Sequence, residues 1–163
     1  MNVGDKVPDL LGLDAEGKEV RLSQFPGKRV ILYFYPKDNT PGCTAEACSM
    51  RDHLYELEQE GFAVVGVSVD SAASHQKFAA KHGLDFPLVS DEEHKLVEQM
   101  GVWGEKKMAG RTYMGTLRTT FIISPEGIVE RIYGPKQIKT KTHAEQLLSD
   151  VAPKGHAESS SAE

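Results

Sequence analysis

Two apolar runs, residues 30–35 and 62–69, constrain the fold of this 163-residue chain more than any other feature. Their β-branched and aromatic side chains are typical of strands that are buried on both faces of a sheet. We therefore predict strands over residues 29–35 and 62–69. The segment between them carries apolar residues at spacings of three and four, which predicts an amphipathic helix over residues 40–60. A strand, a helix and a second strand in this order predict a parallel pair joined by a right-handed crossover.

The rest of the sequence predicts shorter elements, most of them bounded by glycine, proline or serine. Before the midpoint of the chain these are a strand over residues 20–22 and a helix over residues 72–82, capped by Asp70 or Ser71 and ended by Gly83. After it they are an extended piece over residues 86–89, a helix over residues 91–100 capped by Ser90, an irregular segment over residues 103–114, a hairpin of residues 116–124 and 128–133, and a last helix over residues 140–151.

Composition and charge exclude several classes of function. The net charge of −5 provides no basic surface for nucleic acid, and the longest apolar runs are too short to span a bilayer. The first residues contain no apolar signal segment, so we expect a cytoplasmic protein. The six histidines show no zinc-ligand spacing, and we expect them on the surface or on helix faces. We therefore expect no metal, no cofactor, and neither nucleic acid nor a membrane as a partner.

The two cysteines, Cys43 and Cys48, lie near the predicted start of the first long helix. With Thr40 as N-cap and Pro41 at the first helical position, Cys43 takes the third position of the helix. Free backbone N–H groups and the helix dipole favour negative charge there, so a thiolate is stabilised. In a reducing compartment two such close cysteines are more often catalytic or metal-binding than structural, and the histidines provide no further ligands at zinc-site spacing. The sequence therefore indicates thiol redox chemistry centred on Cys43.

Pro36, Thr40 and Cys43 follow a predicted buried strand with the spacing P-x-x-x-T-x-x-C. This pattern resembles the peroxiredoxin signature. Three longer stretches resemble the thiol peroxidases called bacterioferritin comigratory proteins, or Q-type peroxiredoxins: residues 39–48, 101–107 and 118–123. The resemblance covers roughly residues 3–151 and implies a peroxidase that acts in antioxidant defence and cell redox homeostasis.

The resemblance also implies roles for single residues. Cys43 would be the peroxidatic cysteine, whose thiolate attacks a peroxide oxygen and becomes a sulfenic acid. Thr40 would hydrogen-bond the peroxide, and Pro36 would shield the pocket. Arg118 would approach the sulfur, favour the thiolate and orient the peroxide with its planar fork. The backbone N–H of Cys43 would stabilise the oxygen that gains charge.

Two further residues keep open roles. Glu46 lies one helical turn after Cys43 and could pair with Arg118, accept a proton, or only favour the helix start through the dipole. Trp103 is expected to be part of the core or of a pocket wall rather than a reacting group.

Cys48 cannot reach Cys43 in an intact helix. Five residues give a rise of ~7.5 Å and a rotation of ~500°, so the two Cα atoms lie roughly 8–9 Å apart, beyond the ~7 Å limit for a disulfide. As an atypical two-cysteine peroxiredoxin, the enzyme would unwind this helix start, form an intramolecular Cys43–Cys48 disulfide, and be recycled by thioredoxin or a similar dithiol protein. A resolving thiol within the same chain favours a monomer.

The order of elements and the resemblance together predict an α/β protein with a thioredoxin-like fold. We expect a central mixed β-sheet flanked by helices, with an N-terminal extension and the helix over residues 91–100 as an insertion. One domain is expected over residues 1–152, since a chain of this length forms a single ordinary domain. Residues 153–163 have almost nothing apolar to bury and are expected to form a disordered tail.

Two other functions remain open at the sequence level. A dithiol–disulfide reductase usually carries two residues between its cysteines, whereas four separate Cys43 from Cys48. A non-enzymatic peroxide sensor or holdase-like protein would use the same thiol, but the sequence shows no motif for a partner.

Overall fold

The computed structural model describes residues 1–150, which form a mixture of strands and helices. The strands are β1 (Leu10–Asp14), β2 (Glu19–Arg21), β3 (Arg29–Phe34), β4 (Phe62–Ser68), β5 (Leu88–Ser90), β6 (Trp103–Met108), β7 (Arg111–Thr116), β8 (Thr119–Ile123) and β9 (Val129–Tyr133). The helices are α1 (Pro41–Asp52), α2 (Leu54–Gln59), α3 (Ala72–His82) and α4 (Lys95–Gln99), with 3-10 turns at Leu22–Gln24 and Thr140–Thr142. Residues 143–150 are also helical. The predicted tail and the end of the predicted last helix lie outside the described residues.

The two strands predicted from the apolar runs lie at the centre of a seven-stranded sheet with the order β2-β1-β5-β4-β3-β8-β9. β3 and β4 are parallel, with Arg29 opposite Phe62 and Phe34 opposite Val67. β8 pairs antiparallel with the other edge of β3, and β9 pairs antiparallel with β8. The predicted parallel pair, the predicted hairpin and the central mixed sheet are therefore confirmed.

The sheet separates two apolar cores. Because side chains alternate across a strand, Ile31 and Tyr33 of β3 face one core, and Leu32 and Phe34 face the other. The first core is covered by α1, α2, α3 and residues 143–150, and it contains Cys43. The second core is covered by α4 and the N-terminal segment. Residues of α1 that face the sheet are therefore packed on the first core.

The predicted helix over residues 40–60 is interrupted. His53 has φ −112° and ψ 14°, which is not helical, and it divides the segment into α1 and α2. The carbonyl oxygen of Ser49 contacts both the backbone N–H of His53 (3.2 Å) and its ring Nδ1 (3.0 Å). A side chain that competes for a helical carbonyl in this way favours a local break. The predicted apolar stripe continues across the break, since Met50 and Leu57 are both buried.

The inserted helix exists but is shorter than predicted, and Ser90 does not cap it. Ser90 ends β5, and the helix α4 begins only at Lys95. Asp91 performs the capping instead, because its carboxylate accepts hydrogen bonds from the N–H groups of Leu96 (3.2 Å) and Val97 (2.8 Å). A carboxylate that binds free N–H groups fixes a helix start in the same way as an N-cap.

The prediction of an irregular segment over residues 103–114 is wrong, because β6 and β7 form a regular antiparallel hairpin there. Its turn is Ala109-Gly110, and both residues have positive φ (52° and 79°). The segment contains Gly104 and Gly110, which favour an irregular structure by sequence, but Gly104 pairs with Gly115 across the hairpin and Gly110 lies in its turn. Only Leu117 separates the end of β7 from Arg118, so the hairpin helps to position that arginine.

Several local predictions are confirmed. The side chain of Ser71 caps α3 by accepting from the N–H of Ser74 (3.1 Å), and Gly83 ends the helix with a φ of 61°.

Within residues 1–150, no helix combines the length and the apolar character needed to cross a membrane.

Candidate active site

Cys43 lies at the start of α1, at the carboxyl end of β3. Thr40 has extended backbone angles (φ −99°, ψ 156°) and is the N-cap, Pro41 is the first helical residue, and Cys43 is the third. The thiol is buried, with 1% of the residue exposed. The Thr40 hydroxyl donates to the Lys37 carbonyl oxygen (2.9 Å) rather than accepting from the helix. Because this hydroxyl does not cap the helix, it leaves the N–H of Cys43 available to a ligand.

Arg118 connects the thiol to a carboxylate. Its Nη2 donates to the Cys43 Sγ over 3.2 Å, and its Nη1 donates to Glu46 Oε1 over 2.5 Å. Arg118 precedes β8, which pairs with β3, so the sheet brings together residues that are 75 positions apart. Burial lowers the pKa of Arg118, but the charges of Glu46 and Cys43 outweigh it and raise the pKa. The guanidinium therefore stays charged beside the sulfur.

Gly42 makes this contact possible. A Cβ at Gly42 would lie 3.3 Å from Nη2 of Arg118, so any side chain there would press on the guanidinium. The absence of a side chain lets the arginine lie against the first turn of α1. The helix start and Arg118 consequently act on the same sulfur.

Glu46 is fully buried and pairs with Arg118, which is one of the three roles left open by the sequence. Its other oxygen, Oε2, has no hydrogen-bond partner within residues 1–150, although His143 Nε2 lies 3.9 Å away. Burial raises the pKa of Glu46 to about 7, while the nearby Arg118 partly offsets the rise. The carboxyl group is thus divided between its acidic and ionised forms near neutral pH.

His143 and Thr120 lie next to the carboxyl group of Glu46. The Thr120 hydroxyl lies 2.8 Å from His143 Nε2, and the amide oxygen of Gln146 lies 3.0 Å from Nδ1. Burial lowers the pKa of His143, and the charge of Arg118 lowers it further, so the ring is neutral. The histidines are expected on the surface or on helix faces; His143 and His75 do lie in helical segments, but they face the interior and are 0% exposed. Sequence reasoning missed both, because their partners lie far away along the chain.

The structure does not bring the two cysteines together. Cys43 and Cys48 are both free thiols within the uninterrupted helix α1, and Cys48 is half-buried. Five helical residues keep their Cα atoms roughly 8–9 Å apart. The geometry therefore corresponds to a reduced protein before any rearrangement of the helix.

The last two residues singled out in the sequence occupy different places. Pro36 is half-buried directly behind β3, at the start of the loop that leads to Cys43. Trp103 packs against the second core and lies against the ring of His94, with 4.1 Å between the ring centroids. Trp103, expected in the core or in a pocket wall, is half-buried against the second core, on the opposite face of the sheet from the core that contains Cys43.

Comparison with known proteins agrees with this arrangement. Residues 3–132 match the AhpC/TSA family. Peroxiredoxin Bcp of Escherichia coli (strain K12) is 42% identical over 149 residues, covering 91% of this chain and 94% of that protein. Peroxiredoxin Bcp of Bacillus subtilis (strain 168) is 44% identical over 157 residues, covering 94% and 99%. The chain belongs to the Bcp-type peroxiredoxins of the AhpC/TSA family.

Solved structures of peroxiredoxins of this type are similar over nearly the whole chain. The bacterioferritin comigratory protein of Xanthomonas campestris is 39% identical with a TM-score of 0.79, covering 94% of this chain and 99% of that one. PrxQ of Xylella fastidiosa is 38% identical with a TM-score of 0.83, covering 96% and 98%. The peroxiredoxin therefore has the predicted thioredoxin-like fold, and it is a thiol peroxidase.

The raised pKa of Glu46 gives this peroxiredoxin an unusual pH dependence of stability. The pKa of Glu46 is 4.5 in the unfolded chain and about 7 in the folded state. Between these two pH values the folded state binds more protons than the unfolded chain. The free energy of unfolding therefore falls as pH rises through this window and stays lower above it. We expect Glu46→Gln to gain on the order of 1–3 kcal/mol relative to wild type between pH 4.5 and pH 8.

Urea unfolding of both reduced proteins at several pH values measures this difference. The exposed residue Glu58 provides the control, because Glu58→Gln should follow the wild-type curve. Parallel curves for wild type and Glu46→Gln would show that the carboxyl group at 46 titrates normally.

Proposed function

We propose that this peroxiredoxin reduces hydrogen peroxide and organic hydroperoxides to water and alcohols at Cys43. The observation that carries the proposal is the buried thiol at a helix start, with Arg118 Nη2 at 3.2 Å from its sulfur. The partial positive charge of the helix N-terminus and the full charge of the guanidinium both favour the thiolate that attacks peroxide. The similar bacterioferritin comigratory protein of Xanthomonas campestris has alkyl peroxide reduction activity, which supports the inclusion of organic substrates.

In the first step the Cys43 thiolate attacks one oxygen of the peroxide and the O–O bond breaks. The sulfur gains a hydroxyl group and becomes a sulfenic acid, and the other oxygen leaves as hydroxide or alkoxide and takes up a proton. Arg118 and the N–H of Cys43 stabilise the negative charge that develops on the oxygens. Thr40 turns its hydroxyl from Lys37 to the peroxide, and Pro36 excludes water from the pocket.

In the second step Cys48 resolves the sulfenic acid. The first turns of α1 unwind, the Cys48 thiol displaces the sulfenic hydroxyl as water, and a Cys43–Cys48 disulfide forms. An external dithiol protein of the thioredoxin type then reduces the disulfide by thiol exchange and becomes oxidised itself. The unbroken helix between the two thiols supports the need for unwinding, because a disulfide requires a Cα separation under ~7 Å.

This cycle makes the enzyme an atypical two-cysteine peroxiredoxin. The resolving thiol lies in the same chain, so catalysis needs no partner subunit, and we propose a monomeric cytoplasmic enzyme. A single domain over residues 1–152 suffices, with residues 153–163 outside it.

Intact mass after one equivalent of hydrogen peroxide tests the cycle. We expect the reduced wild type to lose ~2 Da through a Cys43–Cys48 link, and Cys48→Ser to gain ~16 Da as a sulfenic acid. A stable gain of ~16 Da in the wild type would exclude Cys48 as the resolving residue. Steady-state peroxide consumption with a thioredoxin system then distinguishes the peroxidase from a dithiol–disulfide reductase, which would not consume peroxide.

A further inference from the structure

A buried polar cluster holds the loop that precedes Cys43. His75 of α3 and Asp38 of the loop form an ion pair in which Nδ1 of His75 lies 2.6 Å from Oδ2 of Asp38. Both side chains are almost completely buried, at 0% and 3% exposure. The peroxide chemistry described above uses neither residue. We call this pair, Asp38 with His75, the loop clasp.

The hydrogen bonds fix the protonation of the histidine. Nδ1 faces the Asp38 carboxylate, and Nε2 faces the Val89 carbonyl oxygen at 3.0 Å. Both partners are acceptors only, so both ring nitrogens carry a proton and the ring is an imidazolium. Burial lowers the pKa of His75, but the hydrogen bond and the charge of Asp38 outweigh it and raise the pKa. The clasp is therefore a charge-assisted bond, which is stronger than a neutral one.

The remaining polar groups around the clasp are also paired. Asp38 accepts from the Tyr35 hydroxyl (2.6 Å) and the Ser74 hydroxyl (2.8 Å), and its N–H donates to Asp70 Oδ2 (2.8 Å). Asp38, Asp70 and His75 lie close enough to share a metal ion, but the hydrogen bonds already occupy these ligand atoms. The hydrogen bonds of this cluster thus connect the segments that follow β3 and β4 to α3 and β5.

The loop is coupled to the helix that carries Cys43. The Thr40 hydroxyl donates to the Lys37 carbonyl oxygen, and the N–H of Thr44 donates to the Thr40 carbonyl oxygen (2.8 Å). Asn39 has a φ of 61°, which a non-glycine residue adopts at a cost. Loss of the clasp would therefore release a strained loop together with the first turn of α1.

We propose that Asp38 and His75 are positioning residues that hold the loop and the first turn of α1 closed as one unit. This inference rests on the proposed function, in which α1 must open before Cys48 reaches Cys43. The rate of disulfide formation is proportional to the open population, so a weaker clasp accelerates it. The peroxide step needs the closed form, which still predominates, so that step slows much less.

Two substitutions at His75 weaken the loop clasp to different extents. Leucine removes both hydrogen bonds, and we expect His75→Leu to accelerate disulfide formation by about tenfold. Asparagine keeps a neutral donor near the position of Nδ1 but loses the positive charge and the bond to Val89, so His75→Asn should give a smaller increase than His75→Leu, about threefold. In a Cys48→Ser background, the peroxide step of either variant should slow by less than about threefold.

Acid quenching and intact mass measure both steps in the full chain. The matched control is Val97→Ala, because Val97 is fully buried in the second core, away from the loop. It lowers overall stability but should leave disulfide formation unchanged. Amide hydrogen exchange over residues 38–43 provides a second measurement on His75→Asn, in which these amides should exchange faster.

The outcomes separate this inference from the proposed function. If the wild type forms no Cys43–Cys48 disulfide, the proposed function is wrong. If the disulfide forms at the same rate in wild type and in both His75 variants, the clasp does not control opening and this inference is overturned. An equal acceleration in Val97→Ala would also overturn it, because general loss of stability would then explain the effect.

Discussion

Cys43→Ser should lose peroxide turnover by at least about a thousandfold, since removal of a nucleophile leaves only binding and positioning effects. The hydroxyl of serine does not ionise under conditions in which a thiol does, and Arg118 and the helix dipole cannot compensate for that difference. Steady-state peroxide loss with thioredoxin and its reductase measures the effect. We expect this to be the largest effect of any single substitution.

The matched variant for this experiment is Cys48→Ser. It retains Cys43 and its contact with Arg118, so it should complete one reaction with peroxide. Its recycling by thioredoxin should be impaired, because no intramolecular disulfide can form. If Cys43→Ser kept the turnover of wild type while Cys48→Ser lost it, the peroxidatic role would belong to Cys48.

Arg118→Lys should lower the rate of the peroxide step by about a hundredfold to a thousandfold, the range for loss of one donor to a developing oxyanion. The guanidinium reaches the Cys43 sulfur with Nη2 and Glu46 with Nη1 at the same time. A lysine ammonium is a single point charge and cannot reproduce that planar fork. Net charge is unchanged by this substitution, so a large loss identifies the geometry of the fork as the cause.

The second-order rate of sulfenic acid formation, measured in single turnover, reports this step without the reductant. Arg29 serves as the control, because it is exposed and its Nε forms an ion pair with Glu130 (2.7 Å). Arg29→Lys should keep the wild-type rate within about twofold, as expected for a surface pair. A wild-type rate in Arg118→Lys would mean that positive charge alone supports the reaction.

The centre of the fold and the position of Cys43 could be predicted because their signals are local. The apolar runs of β3 and β4 indicate buried strands, and Thr40 with Pro41 marks the helix start within a few residues of the thiol. The family resemblance added Arg118, whose distance from Cys43 along the chain no local pattern spans. The structure places the guanidinium against the sulfur and adds the pairing with Glu46.

The features that sequence reasoning missed depend on pairings across the fold. The histidines at 75 and 143 are buried because Asp38 and Thr120 meet them from distant segments. Asp91 replaced Ser90 as the cap of α4 because its side chain reaches two free N–H groups beyond the predicted start. The β6–β7 hairpin was missed because its glycines pair with each other and its strands are mostly polar.

The break at His53 limits how far an opening of α1 can spread. At His53 the backbone angles leave the helical region, between α1, which carries both thiols, and α2, whose Leu57 is buried in the first core. Single backbone hydrogen bonds, from the His53 N–H to Ser49 and from the Leu57 N–H to His53, continue across this break. Melting can therefore stop at residue 53, while the second helical segment keeps its packing on β4. In the proposed cycle, the free-energy cost of opening is then confined to the 12 residues of α1, and α1 refolds against a second helix that has kept its packing.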